Sequence, residues 1–108
     1  DMVFDVRFLP NPFYVKTLRD GTGQDEAVRK YVLNWPETQS FLTKVLELIE
    51  FLIPYFIKEG KSSLVIGIGC TGGRHRSVTI TEELGSRLGA KGHRVFAQHR
   101  DIKKDVEE

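Results

Sequence analysis

Leu64-Val65-Ile66-Gly67-Ile68-Gly69-Cys70-Thr71-Gly72-Gly73-Arg74-His75-Arg76-Ser77 carries a dense aliphatic run directly into a glycine-rich turn. Val78, Thr81, Leu84, Gly85 and Leu88 follow at helical spacing with Ile80 beside that stripe, and Gly89 and Gly92 bracket the exit. Leu64, Val65, Ile66 and Ile68 are what a strand covered on both faces needs, so the stretch reads as strand, tight turn, helix. In an open parallel sheet such a turn lies at the carboxyl end of a strand, where ligands bind. Amides at a helix start lack helical partners and, with those of a glycine-rich turn, can converge on one anion. Arg76 adds a planar two-pronged contact suited to phosphate oxygens, and Thr71 and Ser77 add hydroxyl donors. Cys70, Thr71, Gly72, Gly73, Arg74, His75, Arg76 and Ser77 are therefore the candidate phosphate or sugar-phosphate site.

Upstream, Val3, Phe4, Val6, Phe8 and Leu9 surround Asp5 and Arg7 in a short apolar segment that fits a strand. Pro10-Asn11-Pro12 stops it with a stiff turn, because each proline lacks a donor and restrains the residue before it. Residues 13–23 read as a loop, either over a ligand region or an ordinary surface excursion. Its Gly21 and Gly23 permit backbone angles that other residues resist. Phe13 and Tyr14 line either the pocket or a partner surface. Gln24 to Leu33 is a short helix candidate, ended by Asn34-Trp35-Pro36. From Glu37 a longer helix is expected, with Phe41, Val45, Leu48, Leu52 and Phe56 on one stripe and Leu42, Leu46, Ile49 and Ile53 widening it into mostly buried packing. Pro54 should kink or shorten that helix. Trp35 and Phe41 are expected to be core anchors.

Downstream, His93-Arg94-Val95-Phe96-Ala97-Gln98-His99 is a third strand candidate, with His93 and His99 on one face. The order strand, loop, two helices, strand, helix, strand is the signature of an α/β domain of three layers with a mainly parallel sheet and right-handed crossovers.

At 108 residues the chain is one domain, residues 1–108. Its 40% apolar content closes a core, which excludes a disordered chain. The single cysteine, Cys70, excludes an internal disulfide. Nothing in the sequence has the length of a membrane helix or the form of a signal peptide, so a cytoplasmic domain with no membrane partner is expected. The net charge of +1 hides a segregation: residues 70–104 hold eight of the sixteen Lys and Arg but only three acids. All three histidines fall in this block, which suits an anionic ligand or an RNA backbone. The closing Asp105-Val106-Glu107-Glu108 dilutes that field.

Three competing motifs meet the glycine turn. A P-loop fails: Gly60-Lys61-Ser62 imitates its end, but Tyr55 stands where the upstream glycine belongs and a strand follows rather than precedes it. A dinucleotide fingerprint fails as well, because Gly67-Ile68-Gly69-Cys70-Thr71-Gly72 has the glycine spacing but no acid stands among Phe96 to His99. Cys70 and Arg76 do reproduce a Cys-x5-Arg phosphatase loop, in which a Cys70 thiolate would attack phosphorus and Asp20 or Asp25 would protonate the leaving group. Gly69 stands where many such enzymes have histidine. A zinc set of Cys70, His75 and His99 depends on long-range geometry alone, and no metal is expected.

Phe4-Asp5-Val6-Arg7-Phe8-Leu9-Pro10-Asn11-Pro12 and Gly69-Cys70-Thr71-Gly72-Gly73-Arg74-His75-Arg76-Ser77 together resemble the RNase adapter protein RapZ and its YvcJ-type nucleotide-binding relatives, over nearly the whole chain. The resemblance implies the C-terminal ligand- and RNA-interaction domain of a longer protein, with a phosphofructokinase-like fold and no cofactor of its own. The family's N-terminal P-loop domain, a partner in the same protein, would be the seat of ATP or GTP binding and hydrolysis. In the RapZ branch the domain binds small regulatory RNAs and glucosamine-6-phosphate, and it self-associates. Carried over by motif, Thr71, Gly72 and Arg76 contact the aminosugar phosphate while Cys70, Gly73 and His75 shape the turn. His99, Arg100, Lys103 and Lys104 resemble the RNA-contacting end. The expected object is a noncatalytic phosphosugar-sensing and RNA-binding homodimer. A Cys-dependent phosphomonoesterase and a protein-only dimerisation module are the alternatives.

Overall fold

The computed structural model describes residues 1–70 and 75–99. Its elements are β1 (Met2–Asp5), a 3-10 turn (Pro12–Tyr14), α1 (Glu26–Leu33), α2 (Pro36–Lys58), β2 (Ile66–Gly69) and α3 (Arg76–Ala90). The two strands pair in parallel, from Met2 opposite Ile66 to Asp5 opposite Gly69. Parallel neighbours need a long crossover, and the turn, α1 and α2 supply it. The result is a small three-layer α/β domain with a parallel sheet and three helices.

The core joins Val6 and Leu9 after β1, Val32 of α1, Leu42, Val45 and Ile49 of α2, and Ile80, Leu84 and Leu88 of α3. Each such side chain taken from water contributes about 1.5–3 kcal/mol. Glu83 of α3 laces the helices together, accepting from Arg29 of α1 at 3.2 Å and from Arg87 at 2.9 Å. Arg87 continues to the Gln39 amide oxygen of α2 at 3.0 Å. These pairs are partly exposed, and each adds at most about 1 kcal/mol.

α2 corrects two expectations. Of the two effects expected of Pro54, shortening is ruled out, since the helix runs for 23 residues to Lys58. Pro54 lies on an exposed face, where the Glu50 carbonyl that loses its amide partner can be solvated. Its apolar residues also split into two stripes. Thr38, Leu42, Val45 and Ile49 face inward, whereas Leu48, Phe51 and Tyr55 are exposed. Phe41 is a core neighbour, with its ring edge-on to Phe4 and Phe8 at 6.0 and 5.4 Å. Trp35 is not an anchor: it stands exposed at the N-cap of α2, its ring against Tyr31.

β2 is covered on neither face completely, since none of its residues is buried and the preceding Val65 is exposed. The third strand candidate is corrected as well, because residues 93–99 join no ladder. The chain leaves α3 through Gly92, whose φ is +94°, with Gly92 N–H donating to Gly89 and His93 N–H to Leu88. This glycine-terminated cap needs a left-handed residue. The segment is then held by side chains. His93 Nε2 lies 2.8 Å from Glu50 of α2, and His99 Nε2 lies 3.1 Å from Glu82 of α3. The two histidines therefore reach different helices.

Candidate functional site

The site is built where two stretches distant in sequence, together with the nearby end of β2, meet the start of α3. β2 ends at Gly69, whose carbonyl accepts from Val6 N–H at 2.8 Å, so the turn after β1 lies against the turn after β2. Arg76 is the first residue of α3 and is 4% exposed. Its Nη1 donates to the carbonyl oxygens of Arg7 at 2.6 Å and Leu9 at 3.0 Å. The guanidinium is thus anchored by protein carbonyls. The anchor uses one nitrogen. Among the described residues Nε, which is buried, finds no hydrogen-bond partner. Together with Nη2 it forms the side edge of the guanidinium, the edge that grips two oxygens of one anion. The Arg76 charge also reaches Asp5, whose carboxyl is held below the usual range first by the Arg7 side chain, then by the Arg7 amide, with Arg76 a smaller contributor.

His75 precedes the helix and is buried. Its Nε2 lies 2.9 Å from the Arg19 carbonyl, which can only accept, so Nε2 carries a proton. Ser77 N–H in the first turn donates to Cys70 Sγ at 3.2 Å. The sulfur takes the capping role that a serine or aspartate oxygen fills elsewhere. Thr71, Gly72, Gly73 and Arg74, and at the other end Arg100, Lys103 and Lys104, lie outside the described residues.

The 13–25 excursion is closed down on this helix start. A Cβ at Gly23 would collide with the Thr79 amide nitrogen and come within 2.6 Å of the His75 carbonyl oxygen and 2.7 Å of Val78 Cβ. Neither Gly21 nor Gly23 has a positive φ. These glycines serve close approach, not unusual backbone angles. Asp25, one of the two candidate acids, accepts from Thr22 N–H at 2.7 Å and shapes its own loop. Pro10-Asn11-Pro12 forms the expected stiff turn, and Asn11 Oδ1 accepts from Phe13 N–H at 3.1 Å. Phe13 and Tyr14 lie exposed beyond it, and Arg19 Nε donates to the Phe13 carbonyl at 2.9 Å.

Of the residues singled out from the sequence, Cys70, Ser77 and His99 line one cleft of about 950 Å³ beside β2, whose floor includes Gly67, Ile68 and Thr81. His99 is not free to reach outward, because its ring meets Glu82 Oε1, which also accepts from Gln24 Nε2 at 3.4 Å. That contact, led by His99, holds the Glu82 carboxyl below the usual glutamate range against the opposing effect of burial. A more apolar groove of about 410 Å³ lies between α2, α3 and residues 93–97, and includes Ile53, Leu84 and Val95. Among the described residues, no group of three His, Cys, Asp or Glu side chains is arranged to hold a metal. None of the described helices is long and apolar enough to cross a membrane.

Sequence reasoning missed the partners of Arg76 and the closure at Gly23. Backbone carbonyls leave no signature in sequence, but the Asp-Gly-Thr-Gly run at residues 20–23 was a usable signal for close approach.

A parallel strand followed in sequence by a helix whose first residue is a buried arginine places the chain among the α/β domains. Residues 1–103 match the family model described as the RapZ C-terminal domain, and the chain belongs to that family. A nucleotide-binding protein of Acetivibrio thermocellus is 61% identical over 105 residues, covering 97% of this chain and 36% of that protein. Relatives named in the same way in Caldicellulosiruptor bescii and Ruminiclostridium cellulolyticum are 58% and 56% identical, again with 36% of each relative covered. The chain thus spans about a third of the length of these relatives.

Proposed function

We propose that this domain is a noncatalytic sensor of an aminosugar phosphate, glucosamine-6-phosphate or a close relative, that also binds RNA. The observation that carries the reading is the buried Nε of Arg76, the first residue of α3, which finds no partner among the described residues. An unsatisfied buried donor costs about 1–3 kcal/mol, and an anion held on the Nε–Nη2 edge removes that cost. Thr71, Gly72, Gly73 and Arg74, which stand between Cys70 and His75 in sequence, are the proposed further contacts of the same anion, with Cys70, His75 and Ser77 beside them. Arg100, Lys103 and Lys104, which follow His99 in sequence, are the proposed RNA contacts. The N-terminal P-loop domain expected of a longer protein would supply nucleotide binding, in keeping with the relatives' names. The assembly would be a cytoplasmic homodimer, with the phosphofructokinase-like arrangement that the family resemblance implies.

A titration of the domain with glucosamine-6-phosphate, UDP-N-acetylglucosamine and inorganic phosphate tests the pocket. The expected result is saturable binding of the first, weakened at least about tenfold by Arg76→Lys, which keeps the charge but loses the fork. Equal affinity in the variant would remove Arg76 from the site. The contact between Cys70 Sγ and a helix-start amide favours one competitor, the Cys-dependent phosphomonoesterase. Turnover of phosphomonoesters that Cys70→Ser abolishes would establish it in place of the sensor.

A further inference from the structure

The turn after β1 presents two aromatic rings that the core does not use. Phe13 is 46% and Tyr14 79% exposed. They are not isolated surface residues: the rings meet edge to face at 5.6 Å and 88°, and the Arg19 guanidinium lies 4.9 Å from the Phe13 centroid. The backbone beneath them is fixed by Pro10 and Pro12, by the Asn11 side chain on Phe13 N–H, and by Tyr14 N–H donating to the Asn11 carbonyl at 3.2 Å. Val15 N–H then closes the turn on the Pro12 carbonyl at 2.9 Å. A ring held this way loses little freedom when something stacks on it.

Two cations, Lys16 and Arg19, and one carboxylate, Asp20, stand in this exposed stretch. Among the described residues no carboxylate pairs with Arg19, whose contacts are the Phe13 carbonyl and ring. Lys16 lies in the same exposed stretch, and the Arg19 carbonyl rests on His75 at the start of α3. An exposed aromatic ring beside a guanidinium suits a flat π surface joined to an anion. A free sugar phosphate is gripped from several sides in a concave site. A base in a single strand is instead presented by its own backbone to an open platform, and a duplex keeps its base faces covered.

The geometry points to Tyr14 as a stacking platform for an unpaired base of single-stranded RNA, with the Phe13 ring, itself under Arg19, set against its edge and with Arg19 and Lys16 supplying charge for the neighbouring phosphates. This shares with the proposed function only the class of partner and uses none of the anion-cup residues.

The test is fluorescence anisotropy of the full chain with a short labelled single-stranded oligoribonucleotide and with its duplex. Tyr14→Ala should weaken single-strand binding about tenfold, within the range that stacking on an aromatic ring supplies. The slope of log affinity against log salt should stay unchanged, and Tyr14→Trp should restore affinity. Lys16→Ala should make that slope shallower by about 0.7. Glucosamine-6-phosphate binding should be the same in Tyr14→Ala and the parent. Unchanged single-strand affinity in Tyr14→Ala overturns the platform, as does loss of self-association with RNA affinity intact, which would make the surface a protein contact. If the parent binds no single-stranded RNA, the platform and the RNA half of the proposed function fall together, while the anion cup is judged by its own titration.

Discussion

The two ends of α3 are built by opposite means. At the N-terminal end His75, Arg76 and Ser77 are all less than a tenth exposed, and two distant stretches, the turn at 7–9 and the excursion at 19–23, converge on them together with the nearby Cys70. At the C-terminal end the helix stops on a local glycine cap, and four residues beyond it Phe96 is 90% exposed. A helix can be ended by its own neighbours in sequence. Burying a charged side chain at its start requires partners from elsewhere, and that investment marks the end where ligand chemistry is expected.

The largest effect should follow from cutting the tertiary anchor. Arg76→Met removes two charge-assisted bonds to the Arg7 and Leu9 carbonyls and leaves both acceptors without that donor, and it should lower unfolding free energy by about 3–5 kcal/mol in urea titrations. A loss as small as that of a surface change would mean that the start of α3 does not depend on the turn after β1. Gly23→Ala should rank next, at about 2–3 kcal/mol, because its Cβ meets backbone rather than a movable side chain. Gly21→Ala is the control, since its tightest contact is the movable Asp25 carboxylate, and it should cost clearly less. Equal midpoints for the two variants would break the contrast.

At the other end, Gly92→Ala should cost about 1 kcal/mol, the penalty for a side chain at positive φ, with ligand binding at the cup unchanged.

The smallest effect is the pH dependence of the Glu82 contact. Its native value lies below the unfolded one, so its contribution is complete above the ordinary glutamate value of about 4.3 and is lost as pH falls through the native value. Glu82→Gln should therefore show a shallower loss of stability on acidification than the parent. Superimposable pH profiles would remove Glu82 from the account.

The same contrast explains what was legible in the sequence. Local signals were legible: Gly92 ends α3 at positive φ, Asn34-Trp35-Pro36 marks the break between α1 and α2, and the aliphatic run contains the Ile66–Gly69 strand. Signals that depend on distant atoms were not. The carbonyls that hold Arg76 have no side-chain signature, and nothing local in residues 93–99 says that His93 and His99 will turn to two different helices. α2 shows the same limit in another form, because both of its stripes are apolar at helical spacing and only packing decides that Leu42 and Ile49 turn inward while Phe51 and Tyr55 do not. The candidate site was legible in its residue types and its place after a strand. Its geometry was not, since the close approach at Gly23 belongs to the tertiary fold.

The most direct measurement is the electron density of crystals of this domain soaked in glucosamine-6-phosphate. The account predicts a phosphate with oxygens about 2.7–3.0 Å from Nε and Nη2 of Arg76, while Nη1 keeps the Arg7 and Leu9 carbonyls. Density absent from that edge at saturating ligand, or an Nε already bonded to a protein carbonyl, would contradict it.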